Sequence, residues 1–290
     1  MERSLRAYEY SAEKHQLYLN HYERHFKSLA ARDIKLFELG VYKGGSLLQW
    51  RDFFTNGQIV GLDLEPVHID DPTGRIRTYR GDQRDLRLLD QIASECAPDG
   101  FDIIIDDASH IAAYTKISFW HLFDNYLKAG GYYVIEDWRV SYWEGWPDGA
   151  RYEWPIPTPA PPPQFSSTTE SNSRLPNYHD LIAGLAKRAL GTIGARSITK
   201  PASRLYRKVK YRQRRLPSHD YGMVGLIKQL VDELGMDAIT NPERNGTPPQ
   251  RFPKFQRIEI CPGQVFIVKA TELDDALLGE SLRHPFPKNG

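Results

Sequence analysis

Cysteine is nearly absent from this sequence. The 290 residues include two, Cys96 and Cys261, far apart in the chain. That excludes a disulfide framework and points to two reduced thiols. An excess of one charge is also missing. There are 38 Lys and Arg against 37 Asp and Glu, so the chain as a whole makes no case for nucleic acid. No stretch approaches the roughly 20 apolar residues of a membrane span. The opening "MERSLRAYEYSAEKHQ" lacks the apolar core of a secretory signal. A soluble, cytoplasmic protein is the expectation. With 40% hydrophobic and 26% charged residues, the chain is long enough for one large domain or two small ones.

What is present is an alternation of short apolar runs and longer helical patterns. Residues 7 to 29 carry Leu17, Tyr18, His21, Tyr22, His25 and Phe26 at helical spacing, a stripe that reads mostly as core packing. Strands are expected at 34–40, 58–65, 75–82, 101–107 and 132–137. Helices are expected at 46–57, 85–97 and 114–131, the last stopped by Gly130-Gly131. Strands separated by helices argue for a parallel sheet with right-handed crossovers. Their continuous apolar runs fit burial on both faces. Residues 221–236 read as an amphipathic helix. Residues 255–270 read as two strands joined at Pro262-Gly263 in an antiparallel hairpin. The division expected is a helical segment at 1–33, a main domain at 34–146 and 221–272, an insert at 147–220 and a tail at 273–290.

In an open parallel sheet, ligands bind beyond the carboxyl ends of the strands. The first strand ends in "ELGVYKGGS", where glycines allow a tight turn and close approach to a ligand. This is not the G-x-G-x-x-G dinucleotide fingerprint. Its acid two residues ahead of the first glycine suits a ligand bearing an amino acid and positive charge. The second strand ends at Asp63, placed to accept from ribose hydroxyls. The third ends in "GDQ", where Asp82 or Gln83 can meet a base edge. Any one of these residues alone is a routine turn or cap. Their occurrence in register on successive strands favours a ligand site.

The fourth strand ends in Asp106-Asp107 and the fifth in Glu136-Asp137. Adjacent strands bring these carboxylates together, and a proton or a cation must relieve their repulsion. A hard divalent ion such as Mg²⁺ favours such oxygen ligands. His110, three residues after Asp107, is placed to act as a general base. The competing reading is structural: Asp107 or Ser109 caps the next helix, and Glu136 and Asp137 are solvated loop acids. Trp138, Tyr142, Trp143 and Trp146 follow, either as pocket walls or as core.

"FELGVYKGGSLLQW", "GLDLEP", "GDQ", "FDIIIDDASH", "GGYYVIEDW" and "IEICPGQVFIVKA" together resemble the macrocin and mycinamicin sugar O-methyltransferase family, over residues 34–145 and 221–270. The resemblance implies a class I methyltransferase fold of the α/β, Rossmann-like type. Its sheet has seven strands, mostly parallel, with a C-terminal antiparallel hairpin. It implies S-adenosylmethionine and Mg²⁺ as cofactors. It also implies, as acceptor, a hydroxyl of a sugar in a glycoside, nucleotide sugar, or lipid- or polysaccharide-linked glycan. By motif position, Asp107, Glu136 and Asp137 are the metal ligands, with Asp107 and His110 catalytic and His110 the base. Glu38, Gly40 and Gly44 hold the methionine part of the cofactor, Asp63 the ribose, and Asp82 and Gln83 the adenine side, with Tyr42, Ser46 and Asp106 also cofactor-binding. Lys14 and His15 face the substrate. The family's Asp-Gly-Ser-His becomes Asp-Ala-Ser-His here, a change that matters only if residue 108 needs a positive φ. Such enzymes often form homo-oligomers.

Residues 147–220 have no counterpart in that resemblance. Six of the nine residues from Pro155 to Pro163 are proline, which reads as a loop. From Leu181 to His219 there are eleven Lys or Arg and no Asp or Glu. That segment is a solvated lid, a site for a diphosphate or an acidic glycan, or, through 181–215, a peripheral contact with an anionic membrane at the inner face. Three alternatives to sugar methylation stay open at this point: a catechol-like O-methyltransferase, a relative of cephalosporin hydroxylases on the same scaffold, and a non-catalytic adapter.

Overall fold

The apolar runs become the inner strands of a single sheet. The computed structural model describes residues 4–6, 10, 14–150, 219–240 and 251–272, all within one compact unit of the chain. Strands β1 (Lys35–Leu39), β2 (Gln58–Asp63), β3 (Ile76–Arg80), β4 (Phe101–Asp106) and β5 (Leu127–Glu136) run parallel. Strands β6 (Phe255–Cys261) and β7 (Gln264–Lys269) form the antiparallel hairpin, with β7 against β5. The order is β3-β2-β1-β4-β5-β7-β6. Direction of growth reverses between β1 and β4, so the switch point lies beyond Leu39 and Asp106, which are paired in register.

Period-two alternation splits the side chains between two helical layers. Leu36, Ile59, Ile103, Ile105 and Val134 pack under α1 (Gln16–Phe26) and α2 (Gly45–Phe53) with Tyr22, Phe26, Leu47 and Trp50. Phe37, Leu39, Ile104, Tyr133 and Ile135 pack under α3 (Leu86–Cys96), α4 (Ala112–Asn125) and α5 (Gly222–Leu234) with Leu89, Phe119, Phe123, Met223 and Leu230. Each fully buried Leu or Phe contributes about 1.5–3 kcal/mol. The same alternation decides where the strand-end acids point. Glu38, Asp107 and Glu136 fall on the α1 side, while Asp106 falls on the α4 side.

Two expectations change. The helix expected at 114–131 ends at Asn125, where Tyr126 N–H still reaches Leu122 O, and β5 starts at Leu127. Phe101 pairs with Leu127 and Ile103 with Tyr132, so residues 128–131 bulge out of the strand. Gly130, at φ +75°, serves that bulge rather than a helix stop. The leading helix is shorter than 7–29, since α1 begins at Gln16 and closes in a 3₁₀ turn at Lys27–Leu29. Cys96 and Cys261 are free. No described helix is long and apolar enough to cross a membrane. The Pro-rich stretch, the basic 181–215 segment and the 273–290 tail lie outside the described residues.

Candidate active site

A cleft of about 190 Å³ opens at the switch point, lined by Gly40, Asp63, Asp82, Gln83, Ser109 and Tyr114 among others. An adjoining hollow shares Gly40, Asp63 and Ala108 with it and adds Lys14, Tyr42, Ser46 and Asp107. The loop after β1 makes this shape. Gly40, at φ +79°, lies so close to Asp107 and Ala108 that a Cβ would run into their backbone. Asp63 anchors the same loop: its Oδ2 accepts from Val41 N at 2.9 Å and Tyr42 N at 2.8 Å, and its Oδ1 from Glu65 N at 3.0 Å. Oδ2 is thereby filled, while Oδ1 keeps a lone pair for a hydroxyl in the cleft. Tyr42, at φ +49°, is 64% exposed at the rim.

The other expected cofactor residues take up different depths. Asp82 accepts from Arg84 N at 2.8 Å and from the Arg84 guanidinium, which lies 4.0 Å over the Tyr114 ring. Gln83 is held on both ends, Oε1 accepting from Ser109 N at 3.2 Å and Nε2 donating to Ser118 Oγ at 3.1 Å. Asp106 lies beneath it, away from the cleft, accepting from Ser118 Oγ at 3.0 Å and Tyr133 Oη at 3.3 Å. The strand's alternation turns Asp106 inward and Asp107 outward, so Asp106 reaches the cleft only through Gln83. Glu38 is fully buried under the loop, where its Oε2 accepts from Ser46 Oγ at 2.6 Å and Trp50 Nε1 at 3.2 Å. Gly44, at φ +81°, opens α2 beside Val67 and Ile69.

The carboxylates gather where β1, β4 and β5 end. Lys14 Nζ sits among them, 2.7 Å from Asp107 Oδ2, 3.0 Å from Glu136 Oε1 and 3.3 Å from Glu38 Oε1. Lys14 is 5% exposed, so it lies within the acids rather than facing open solvent. Burial opposes its charge, but Asp107, Glu136 and Glu38 outweigh that and push its pKa well up. One ammonium cannot satisfy three carboxylates, two of them fully buried and Asp107 partly so. Burial holds Asp107 up at about 6 and Glu136 up at about 7 in spite of Lys14, and it raises Glu38 as well. The cluster is short of positive charge.

Two oxygens point away from Lys14. Asp107 Oδ1 lies 3.9 Å and Asp137 Oδ2 3.8 Å from His110 Nε2. Donor atoms of Asp107, His110 and Asp137 all fall within 4.8 Å of one another. Carboxylate oxygens gathered in a cluster short of cations suit a hard divalent ion that takes one or two carboxylates and keeps water or substrate in its remaining positions. Glu136, expected as a third ligand, has its Oε1 taken by Lys14 and by Tyr22 Oη. Asp107 caps no helix: Ala112 N at the start of α4 donates to Asp148 Oδ2 at 2.8 Å, and Ile111 N donates to Ser109 Oγ at 3.2 Å. His110 (φ +52°) and Asp137 (φ +53°) are left-handed, a conformation non-glycine residues adopt at a cost of about 1–2 kcal/mol. Ala108 is not, so the departure from Asp-Gly-Ser-His is harmless here.

The aromatics after β5 divide. Trp146 Nε1 donates to His110 O at 3.3 Å, and Trp138 Nε1 to Cys261 O at 2.9 Å, both beside the core. Trp143 is exposed. Two site residues escaped the sequence reading. Tyr18 Oη donates to Asp137 Oδ1 at 2.5 Å, and Tyr22 Oη donates to Glu136 Oε1. The legible signal was the four-residue spacing Lys14, Tyr18, Tyr22, which the apolar stripe of the same helix masked.

No family model matches the chain. The mycinamicin VI 2''-O-methyltransferase of Micromonospora griseorubida is 47% identical over 133 residues, 43% of this chain and 32% of that protein. The demethylmacrocin O-methyltransferase of Streptomyces fradiae is 41% identical over 133 residues, again 43% of this chain and 32% of that protein. The MycE methyltransferase of the mycinamycin pathway, solved with Mg, SAH and mycinamycin VI, superposes with a TM-score of 0.54 at 28% identity, covering 88% of this chain and 50% of that one. The chain spans about a third of the length of the curated relatives it matches. The resemblance to sugar O-methyltransferases is borne out, and so is the class I methyltransferase fold.

Proposed function

We propose that this chain methylates a hydroxyl of a sugar-bearing acceptor, using S-adenosylmethionine and Mg²⁺. The observation that carries the reading is the convergence of Asp107 Oδ1, Asp137 Oδ2 and His110 Nε2 next to the cleft at the switch point. When bound, the cofactor supplies an electrophilic methyl group, and the ion supplies positive charge that lowers the pKa of a bound hydroxyl.

The chain's own residues do the rest. Asp63 accepts hydrogen bonds from the ribose hydroxyls while holding the β1 loop. Gln83, fixed from below by Asp106 and Ser118, presents the adenine side with Asp82 and Tyr114. Ser46 and the backbone around Gly40 line the hollow for the methionine part, and Glu38 fixes Ser46. Asp107 and Asp137 hold the ion, with Glu136 behind them. His110 Nε2 takes the proton of the acceptor hydroxyl as the new C–O bond forms and the methyl–sulfur bond breaks, then gives it to solvent. Most of the rate gain comes from alignment of the two reactants and charge placed in advance.

The relatives named above are O-methyltransferases of mycinamicin VI and demethylmacrocin, which supports a glycoside acceptor over a catechol and methyl transfer over hydroxylation. Titration of S-adenosylhomocysteine by calorimetry with Mg²⁺ present tests the reading. Micromolar binding that is lost in Asp63→Ala is the expected result. Absence of binding to the wild-type chain overturns it.

A further inference from the structure

Helix α1 contributes more than core packing. Tyr18 and Tyr22 lie one turn apart on the same face of the helix, and Lys14 stands just ahead of its N-cap His15. Each donates to an acid at the end of β4 or β5: Lys14 to Asp107 Oδ2 and Glu136 Oε1, Tyr18 to Asp137 Oδ1, and Tyr22 to Glu136 Oε1. These bonds occupy one oxygen each of Asp107, Asp137 and Glu136. The opposite oxygens of the two aspartates, Asp107 Oδ1 and Asp137 Oδ2, are the pair that faces His110.

Asp137 shows why such support is needed. Its backbone is left-handed at φ +53°, outside the strand geometry that ends at Glu136. Its own N–H donates to Gly263 O at 2.6 Å, its carbonyl accepts from Val140 N at 3.1 Å, and the Tyr18 hydroxyl holds its carboxylate. The Tyr18 hydroxyl lies against Gly263 in the space a Cβ would fill, so the β6–β7 turn is shaped to seat it. A phenylalanine at residue 18 would serve the core equally well. The hydroxyl has its use at the carboxylate.

We propose that α1 is a positioning element for the cation site. Lys14, Tyr18 and Tyr22 fix the inner oxygens of the three acids, so that Asp107 Oδ1 and Asp137 Oδ2 stay turned toward His110, where donor atoms of the three residues fall within 4.8 Å of one another. The inference rests on the metal reading above. Partners that orient metal ligands from behind are typically worth about 10–100-fold in affinity.

The test is Mn²⁺ binding by electron paramagnetic resonance, on the full chain without cofactor or acceptor, with urea unfolding in parallel. Wild type is expected to bind Mn²⁺. Tyr18→Phe is expected to bind it about 10–100-fold more weakly while remaining folded. Leu17→Ala, on the exposed side of the same helix, should bind as wild type does. If Tyr18→Phe matches wild type in Mn²⁺ affinity, the positioning role is overturned and the hydroxyl is only a satisfied buried group. If wild type itself fails to bind Mn²⁺, the metal reading falls and takes this inference with it. S-adenosylhomocysteine binding would then stand or fall separately.

Discussion

Replacing Lys14 with methionine keeps the length of the side chain and removes its charge. In the native protein the ammonium lies 2.7, 3.0 and 3.3 Å from Asp107, Glu136 and Glu38. At an effective dielectric of about 20, each such pair is worth roughly 5–6 kcal/mol before desolvation. Burying the lysine and its acids offsets most of that gain. What remains on breaking the cluster is the cost of acids left without a counter-charge, about 3–5 kcal/mol. Urea unfolding of Lys14→Met at neutral pH should therefore show a loss of that size at an unchanged m-value. Because Asp107 and Asp137 can also take a divalent ion, Mg²⁺ at about ten times its dissociation constant should return about 1.4 kcal/mol to either protein. A loss below about 1 kcal/mol would mean that the acids are solvated or protonated without the lysine. It would refute the view of Lys14 as their structural counter-ion.

Two further outcomes follow from the geometry. His110→Ala should lower turnover by about 10²–10⁴-fold and leave S-adenosylhomocysteine affinity unchanged, since the imidazole lies beside the acids and lines neither hollow; near-normal turnover in a methyl-transfer assay removes it from the base role. Asp71 sits between β2 and β3. Burial would raise its pKa, but bonds from Thr73, Ile76 and Arg51 outweigh that and hold it at about 2. A carboxyl depressed from 3.8 to about 2 stabilises the fold by about 2 kcal/mol above pH 4, and that stability disappears as pH falls toward 2. Asp71→Asn should cost about that much at pH 7, and a gap that fails to narrow between pH 4 and pH 2 contradicts the assignment.

Local chemistry was enough for the frame of this protein. Continuous apolar runs such as "FDIIID" make buried parallel strands wherever they are placed. An acid that ends such a run has to emerge at the sheet's carboxyl edge, so Asp63, Asp107, Glu136 and Asp137 were legible, as was the glycine turn after β1. Strand β5 was read only in its second half, because the Gly130-Gly131 pair that looks like a helix stop belongs to a bulge, and a bulge is defined by its partner strand. Tertiary structure alone decided the rest. The difference between Asp106, buried beneath Gln83, and Asp107, turned to the site, depends on which helical layer covers each face of β4. The roles of Lys14, Tyr18 and Tyr22 depend on where α1 docks, more than 80 residues away in sequence from the acids they hold. A single helix announces its apolar stripe through its period. It cannot announce which acid a tyrosine on that stripe will meet, because that contact is set by the packing of three separate strand ends.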